Sequence, residues 1–301
     1  ISNFQMAESN TTRKYCSLRV VDVGSLPEKM LAPIEGYENM PLVTLEEAVQ
    51  PLAGIVPKVK RNVKIVKQNC QQPKDGLTID QSASIMLYTY ESTPHEDSLY
   101  VKLNEILRSE QRQNLIPWFR YLRLILTALA CLPSECCSVF RGIRNNSSTD
   151  YPEGKSFVWW GFSSCTSSVK VLENALFFGK TGKRTLFEIK SITAKDIRKH
   201  SFMPGEDELL LLPARKFQVK SCLNSGNELH IVQLIEVTPE YELLEPVPLP
   251  DPFNTLQRIS QVRYQPTVAT VKLKIKPSSG DSKENHEKVK FNLNTKSNGQ
   301  S

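Results

Sequence analysis

The stretch FMPGEDELLLLPARKF, residues 202–217, runs two glutamates directly into an apolar strand. Glu206 and Glu208 stand one residue apart, and the four leucines at 209–212 read as a short strand buried on both faces. Carboxylates avoid such places unless a partner or a task holds them there. On an extended segment, residues two apart point to the same side, so this spacing predicts that both carboxylates meet one ligand. Two further polar features interrupt apolar runs upstream. Arg141 lies inside SVFRGI, residues 138–143, with Gly142 beside it, and a hydroxyl cluster that includes Ser164 closes WWGFSSCTSS, residues 159–168. A strand-borne arginine offers a forked cation to a phosphate or diphosphate. Gly142 has no side chain to hold a ligand off the backbone, and a serine hydroxyl can orient a carboxylate. Taken singly, each feature has a plainer reading: a surface strand residue, a polar turn, a solvated loop before a strand. Taken together, an anion clamp and a carboxylate pair suit a nucleotide-sugar substrate reacting at its anomeric carbon, where positive charge develops.

The elements that must position these residues fall into two blocks. Residues 43–131 carry helical patterning. Thr44 and Glu47 form a capping box ahead of Leu45, Val49, Leu52 and Ile55, with Pro51 placed to kink or split the helix. Asp80 reads as the cap of the next helix. Leu99, Leu103, Ile106 and Leu107 form one stripe. In the strongest helix, residues 115–132, Pro117 suits the first turn and Trp118, Leu122, Ile125, Leu126 and Leu129 face inward. Residues 138–237 read as short strands: SVFRGI, KSFVWWGF, RTLFEIK, ELLLL, KFQVKSC and HIVQLIEV, with turns at DYPEG and FGKTGK. Trp159 and Trp160, adjacent on a strand, point to opposite sides. Helices first and strands second predict an α+β domain over residues 43–245, a helical N-terminal part packed on a mixed, β-sandwich-like core. An irregular leader, residues 1–42, precedes it, and a linker and disordered basic tail, residues 246–301, follow.

The order arginine, then aromatic-x-Ser-x-Ser/Thr, then Glu-x-Glu resembles the R-S-E pattern of the arginine-specific mono-ADP-ribosyltransferases. VFRGI resembles the first motif through Arg141, and GFSSCTSS the second, with Ser164 at the motif serine. Cys165 and Thr166 stand where Thr/Ser and Ser are commoner. The third motif matches through Phe202, Pro204, Glu206, Asp207, Glu208, the leucine run, Pro213, and Phe217-Gln218-Val219. The likeness extends over about residues 75–237. It implies an NAD-binding core and an NAD(P)–protein-arginine ADP-ribosyltransferase, a glycosyltransferase that moves ADP-ribose from NAD to protein arginine and releases nicotinamide. By this resemblance Glu208 would hold the nicotinamide-ribose 2′-hydroxyl and steady an oxocarbenium-like transition state, while Glu206 would receive the acceptor guanidinium. Arg141 would hold phosphate or ribose, Gly142 would present backbone toward the nicotinamide, Ser164 would fix Glu208, and Phe202 would contact the acceptor. Phe177 or Phe178 would stack on the nucleotide, although phenylalanines at such places more often belong to a core. NAD hydrolysis, with water as acceptor, is the alternative activity, and a catalytically silent NAD- or ADP-ribose-binding module is the alternative outside enzymes.

Composition narrows the field. The chain has 301 residues and a formal charge of +6. From Asp251 onward nine Lys/Arg face four Asp/Glu, leaving 29 basic against 28 acidic residues in the rest. A nearly neutral body with a basic tail argues against a nucleic-acid groove within the fold. No apolar run of about 18 residues predicts a membrane span, and the start, ISNFQMAESN, lacks the pattern of a signal peptide. The seven cysteines are odd in number and match no zinc spacing, which predicts reduced thiols, a cytoplasmic protein and no metal. A thiol protease pairing Cys165 with His200 or His230 has no spacing that selects either histidine.

Overall fold

Thr44 and Glu47 close the expected capping box at the start of helix α1, Leu45–Val49. The Thr44 hydroxyl accepts the Glu47 N–H, and the Glu47 carboxylate accepts the Thr44 N–H at 3.0 Å. Pro51 then splits the helix, because it brings no N–H, and the chain tightens into a 3-10 turn at Gln50–Leu52. This computed structural model describes residues 26–27, 29–172 and 178–249. Residues 1–25 and 28 of the leader, Phe177 and residues 250–301 of the predicted linker and tail lie outside the described residues.

Among the described residues, the helical layer continues with α2 (Val59–Asn69), α3 (Ile79–Thr89), α4 (Leu99–Leu107) and α5 (Phe119–Cys131). The cap of α3 is Thr78, in a capping box with Gln81, and not Asp80. A threonine hydroxyl and a glutamine three residues on satisfy two N-terminal amides at once. Asp80 is thereby left to accept the Leu45 N–H and the Lys67 ammonium, both at 2.9 Å, tying α3 to α1 and α2. Pro117 lies in a 3-10 turn, Arg112–Trp118, that leads into α5, and not in the first turn of α5. Its ring cannot accommodate the carbonyl four residues back, so the chain enters α5 by the tighter winding. Trp118, Leu122, Ile125, Leu126 and Leu129 are all buried, as their periodicity predicts.

Among the described residues, seven strands form one mixed sheet: β1 (Glu135–Ile143), β2 (Ser156–Trp159), β3 (Ser163–Thr166), β4 (Arg184–Asp196), β5 (Glu208–Leu211), β6 (Arg215–Asn224) and β7 (Leu229–Val237). Their order is β1-β3-β5-β4-β7-β6-β2, and β1 also pairs with β4. The β4–β7 pairing is parallel and the others are antiparallel. The hydroxyl cluster, expected as the polar end of a strand, is itself the strand β3. It has no apolar alternation to announce it and owes its extended form to partners on both sides.

The sheet separates two cores. One joins the helices to Val158, Trp160, Phe162 and Leu210. The other gathers Val139, Phe157, Trp159, Cys165, Leu209, Leu211 and Phe217. Trp159 and Trp160 point to opposite cores as expected, and β5 is buried on both faces because its leucines alternate between them. The architecture is α+β, helices on a sheet core. No helix among the described residues is long and apolar enough to cross a membrane.

Candidate active site

The three chemical motifs fall on neighbouring strands. Phe140 on β1 pairs with Thr166 on β3, and Thr166 pairs in turn with Glu208 on β5. Residues 68 positions apart in the chain therefore share one row of the sheet. Arg141, next in β1, is only 1% exposed, and its guanidinium Nη1 donates to the Ser164 carbonyl at 3.2 Å. The same β1 sets Gly142 against Phe178: a methyl group added at Gly142 would come within 2.5 Å of the Phe178 ring. Where the sequence suggests room for a ligand against the backbone, the structure has that ring. Phe178 is buried, and the Arg184 guanidinium lies 5.5 Å from its centroid.

Glu208 opens β5 and is 2% exposed. Its Oε2 accepts a hydrogen bond from the Ser201 hydroxyl at 3.1 Å. Ser164 stands across from Leu210, and its buried hydroxyl makes no hydrogen bond among the described residues. Glu206 is 7% exposed, but the two glutamates do not sit on one extended segment. Pro204–Glu206 form a 3-10 turn, and Asp207 adopts a left-handed conformation at φ 47°, ψ 45°. Strand alternation therefore does not relate the two carboxylates. A turn brings Glu206 to the head of β5, at a residue type that tolerates the left-handed region better than most. Asp207 itself faces outward, 3.8 Å from the exposed Arg198 guanidinium.

The connection from β4 to β5 is fastened to the helices by contacts that no motif announces. The His200 ring lies 2.8 Å from the Ser82 hydroxyl through Nδ1 and 3.2 Å from Asp75 through Nε2. The Phe202 N–H donates to the Thr89 hydroxyl at 2.7 Å, and the Phe202 ring meets Tyr90 edge-on at 4.9 Å. Behind β3, buried Asn104 on α4 accepts the Phe162 N–H at 2.9 Å and donates to the Phe162 carbonyl at 3.3 Å. Asn104 thus orders the turn from which β3 starts. These pairings span 58 to 125 residues, so local sequence carries no signal for them beyond a polar residue within an apolar pattern.

The thiol-protease alternative finds no support. Burial pushes the Cys165 thiol up to about 12, the reverse of what a thiolate nucleophile needs. The His200 ring is engaged by Ser82 and Asp75. His230 pairs with Thr185 and Asn224 elsewhere in the sheet.

Residues 38–238 match the family model described as NAD:arginine ADP-ribosyltransferase. The chain belongs to this ADP-ribosyltransferase family. The matched span contains Arg141, Ser164, Glu206 and Glu208 together with all seven strands. No curated protein matches the chain significantly. Among solved structures, the chain is similar to the eukaryotic mono-ADP-ribosyltransferase ART2.2, at 22% identity over 66% of this chain and 85% of that one, with a TM-score of 0.48. It is similar to the type III effector XopAI from Xanthomonas axonopodis pv. citri, at 17% identity over 79% and 100% of the two chains, with a TM-score of 0.49. A third is the ADP-ribosyltransferase Vis from Vibrio splendidus, solved with agmatine, at 19% identity over 69% and 96%, with a TM-score of 0.44.

Proposed function

We propose that this ADP-ribosyltransferase moves ADP-ribose from NAD to the side chain of a protein arginine and releases nicotinamide. The observation that carries this reading is the single row Phe140–Thr166–Glu208, which aligns the arginine, serine and glutamate motifs on adjacent strands within the matched family span. Glu208 is the charge that acts on the reacting sugar. As the bond from ribose C1′ to the nicotinamide nitrogen breaks, its electron pair leaves with the ring, which becomes neutral, and positive charge grows on the ribose. An enclosed carboxylate stabilises that charge more than water would, and it does so chiefly in the transition state. Glu206, on the adjoining turn, receives the acceptor guanidinium. A guanidinium nitrogen then bonds to C1′ and gives up its proton, with Glu206 as the acceptor of that proton. Arg141 serves the NAD phosphates or ribose from β1, where its guanidinium also donates to the Ser164 carbonyl. The Ser164 hydroxyl, buried and without a partner among the described residues, is available to the nucleotide or to Glu208.

Incubation with NAD and polyarginine tests this reading. Nicotinamide release accompanied by transfer of labelled ADP-ribose is expected. Nicotinamide release without transfer would make the protein an NAD glycohydrolase. Saturable NAD binding without turnover would make it a silent binding module.

A further inference from the structure

The hydroxyl on Glu208 belongs to Ser201, a residue outside the three motifs. Ser201 is 3% exposed and Glu208 is 2% exposed, so water does not compete for the contact. A hydroxyl has one proton to give. The Ser201 oxygen accepts the Met203 N–H at 3.1 Å, which fixes the side chain against its own backbone, and the proton goes to Glu208 Oε2 at 3.1 Å. The residues on either side are pinned to α3: His200 by Ser82 Oγ at 2.8 Å, and Phe202 by Thr89 Oγ1 at 2.7 Å. His200 is further tied to its own strand end, its N–H donating to the Ile197 carbonyl at 2.8 Å. The serine therefore has little freedom to turn away, and neither has the carboxylate oxygen it holds.

We infer that Ser201 is a positioning residue for Glu208, setting the carboxylate orientation that the transfer reaction requires and leaving substrate contact to others. This inference rests on the role proposed for Glu208. Positioning of a group that acts in the transition state lowers kcat when lost and leaves NAD affinity nearly intact. It also acts only through Glu208, so the two changes do not multiply.

The test compares Ser201→Ala, Ser201→Thr, Ser201→Val, Glu208→Gln and the double variant Ser201→Ala/Glu208→Gln. Nicotinamide release is measured with and without polyarginine, and folding is checked by melting. Ser201→Ala is expected to lower kcat about tenfold on both acceptors, with the KM for NAD within about twofold. Threonine and valine have the same shape and differ in the hydroxyl, so Ser201→Thr should exceed Ser201→Val by about the same tenfold even if both fold less well. In the Glu208→Gln background, Ser201→Ala should remove less than a further twofold. A large loss in Glu208→Gln with kcat unchanged in Ser201→Ala, equal rates for the threonine and valine variants, or multiplying effects in the double variant would each overturn the role of Ser201 alone. Undiminished turnover in Glu208→Gln would overturn the reading of Glu208 and this inference with it.

Discussion

Replacing Glu208 and Glu206 by glutamine, one at a time, should disable the protein in two different ways. Glutamine keeps the shape of glutamate and can still accept the Ser201 proton, so the change isolates the charge. Glu208 is 2% exposed, and the attraction it exerts on a cationic ribose is therefore governed by protein and not by bulk water. At about 4 Å and an effective dielectric near 20, two unit charges attract by about 4 kcal/mol. The sugar carries only part of a unit charge in the transition state, so roughly 3–4 kcal/mol is the expected loss, or about 10²–10³-fold in kcat. That loss should fall on every acceptor, because all share the same breaking bond. Glu206 lies on the preceding turn and is assigned to the guanidinium, so its loss should abolish transfer to arginine. Water needs no such partner, and slow NAD hydrolysis should survive in Glu206→Gln and vanish in Glu208→Gln. Nicotinamide release with and without polyarginine, on proteins shown to melt normally, reads all four rates. Equal loss of hydrolysis and transfer in Glu206→Gln would falsify the division of labour. Changes of no more than about twofold in both variants would mean that neither carboxylate is used.

Three further outcomes follow from the packing around the site. Gly142→Ala would place a methyl group 2.5 Å from the Phe178 ring, and overpacking of this kind costs about 1–3 kcal/mol. A melting temperature lower by roughly 2–10 °C is expected, partly restored by adding Phe178→Leu, and an unchanged melt would show that the ring moves freely. Asn104→Leu strands both the N–H and the carbonyl of Phe162, for about 2–6 kcal/mol in thermal or urea unfolding, and a loss under 1 kcal/mol would contradict the proposed anchoring. Burial outweighs Asp75 at His200 and holds the imidazole below its usual 6.5. The unfolded chain then takes up the proton first, so His200 contributes its full stability above about pH 6.5, and part is lost as pH falls from there toward the lower folded value. The fall in melting temperature from about pH 7 to 5 should be shallower in His200→Gln, and parallel slopes would count against the assignment.

Those elements fixed by neighbours in the chain were readable from it. The Thr44–Glu47 box, the split at Pro51, the inward stripe of α5 and the opposite facing of Trp159 and Trp160 all depend on residues a few positions apart. So did β5, because four leucines bounded by glutamate and proline admit few other conformations. Legibility ended where the deciding partner was distant or the backbone left its expected region. Strand β3 is polar and depends on β1 and β5 to be a strand at all. Extended geometry for Glu206 failed at Asp207, a single left-handed residue that no periodicity reveals. Asp80 looked like a cap, but Thr78 two positions earlier offered an equivalent oxygen together with a glutamine at the right distance. Nothing in the local sequence marks Ser201, whose hydroxyl only the fold sets against Glu208.

Strands β1, β3, β5 and β4 pair in a closed circuit, each bonded to the next and β4 back to β1. At the edge of a sheet, strands as short as Ser163–Thr166 and Glu208–Leu211 would fray; here they pair with each other along their whole length, while Thr166 also meets β1 and Leu209 and Leu210 also meet β4. An amide held between these strands is exposed only when the pairing that holds it parts, an opening from the high-free-energy end of local unfolding. Deuterium should therefore enter β3 and β5 as slowly as the innermost helices, and enter the Pro204–Glu206 turn far sooner. The division has an evolutionary side. If Glu206 receives the acceptor as proposed, substitutions in that turn would change which partner protein is engaged while the circuit holds Glu208 in place, so acceptor choice would be free to diverge without the chemistry being rebuilt.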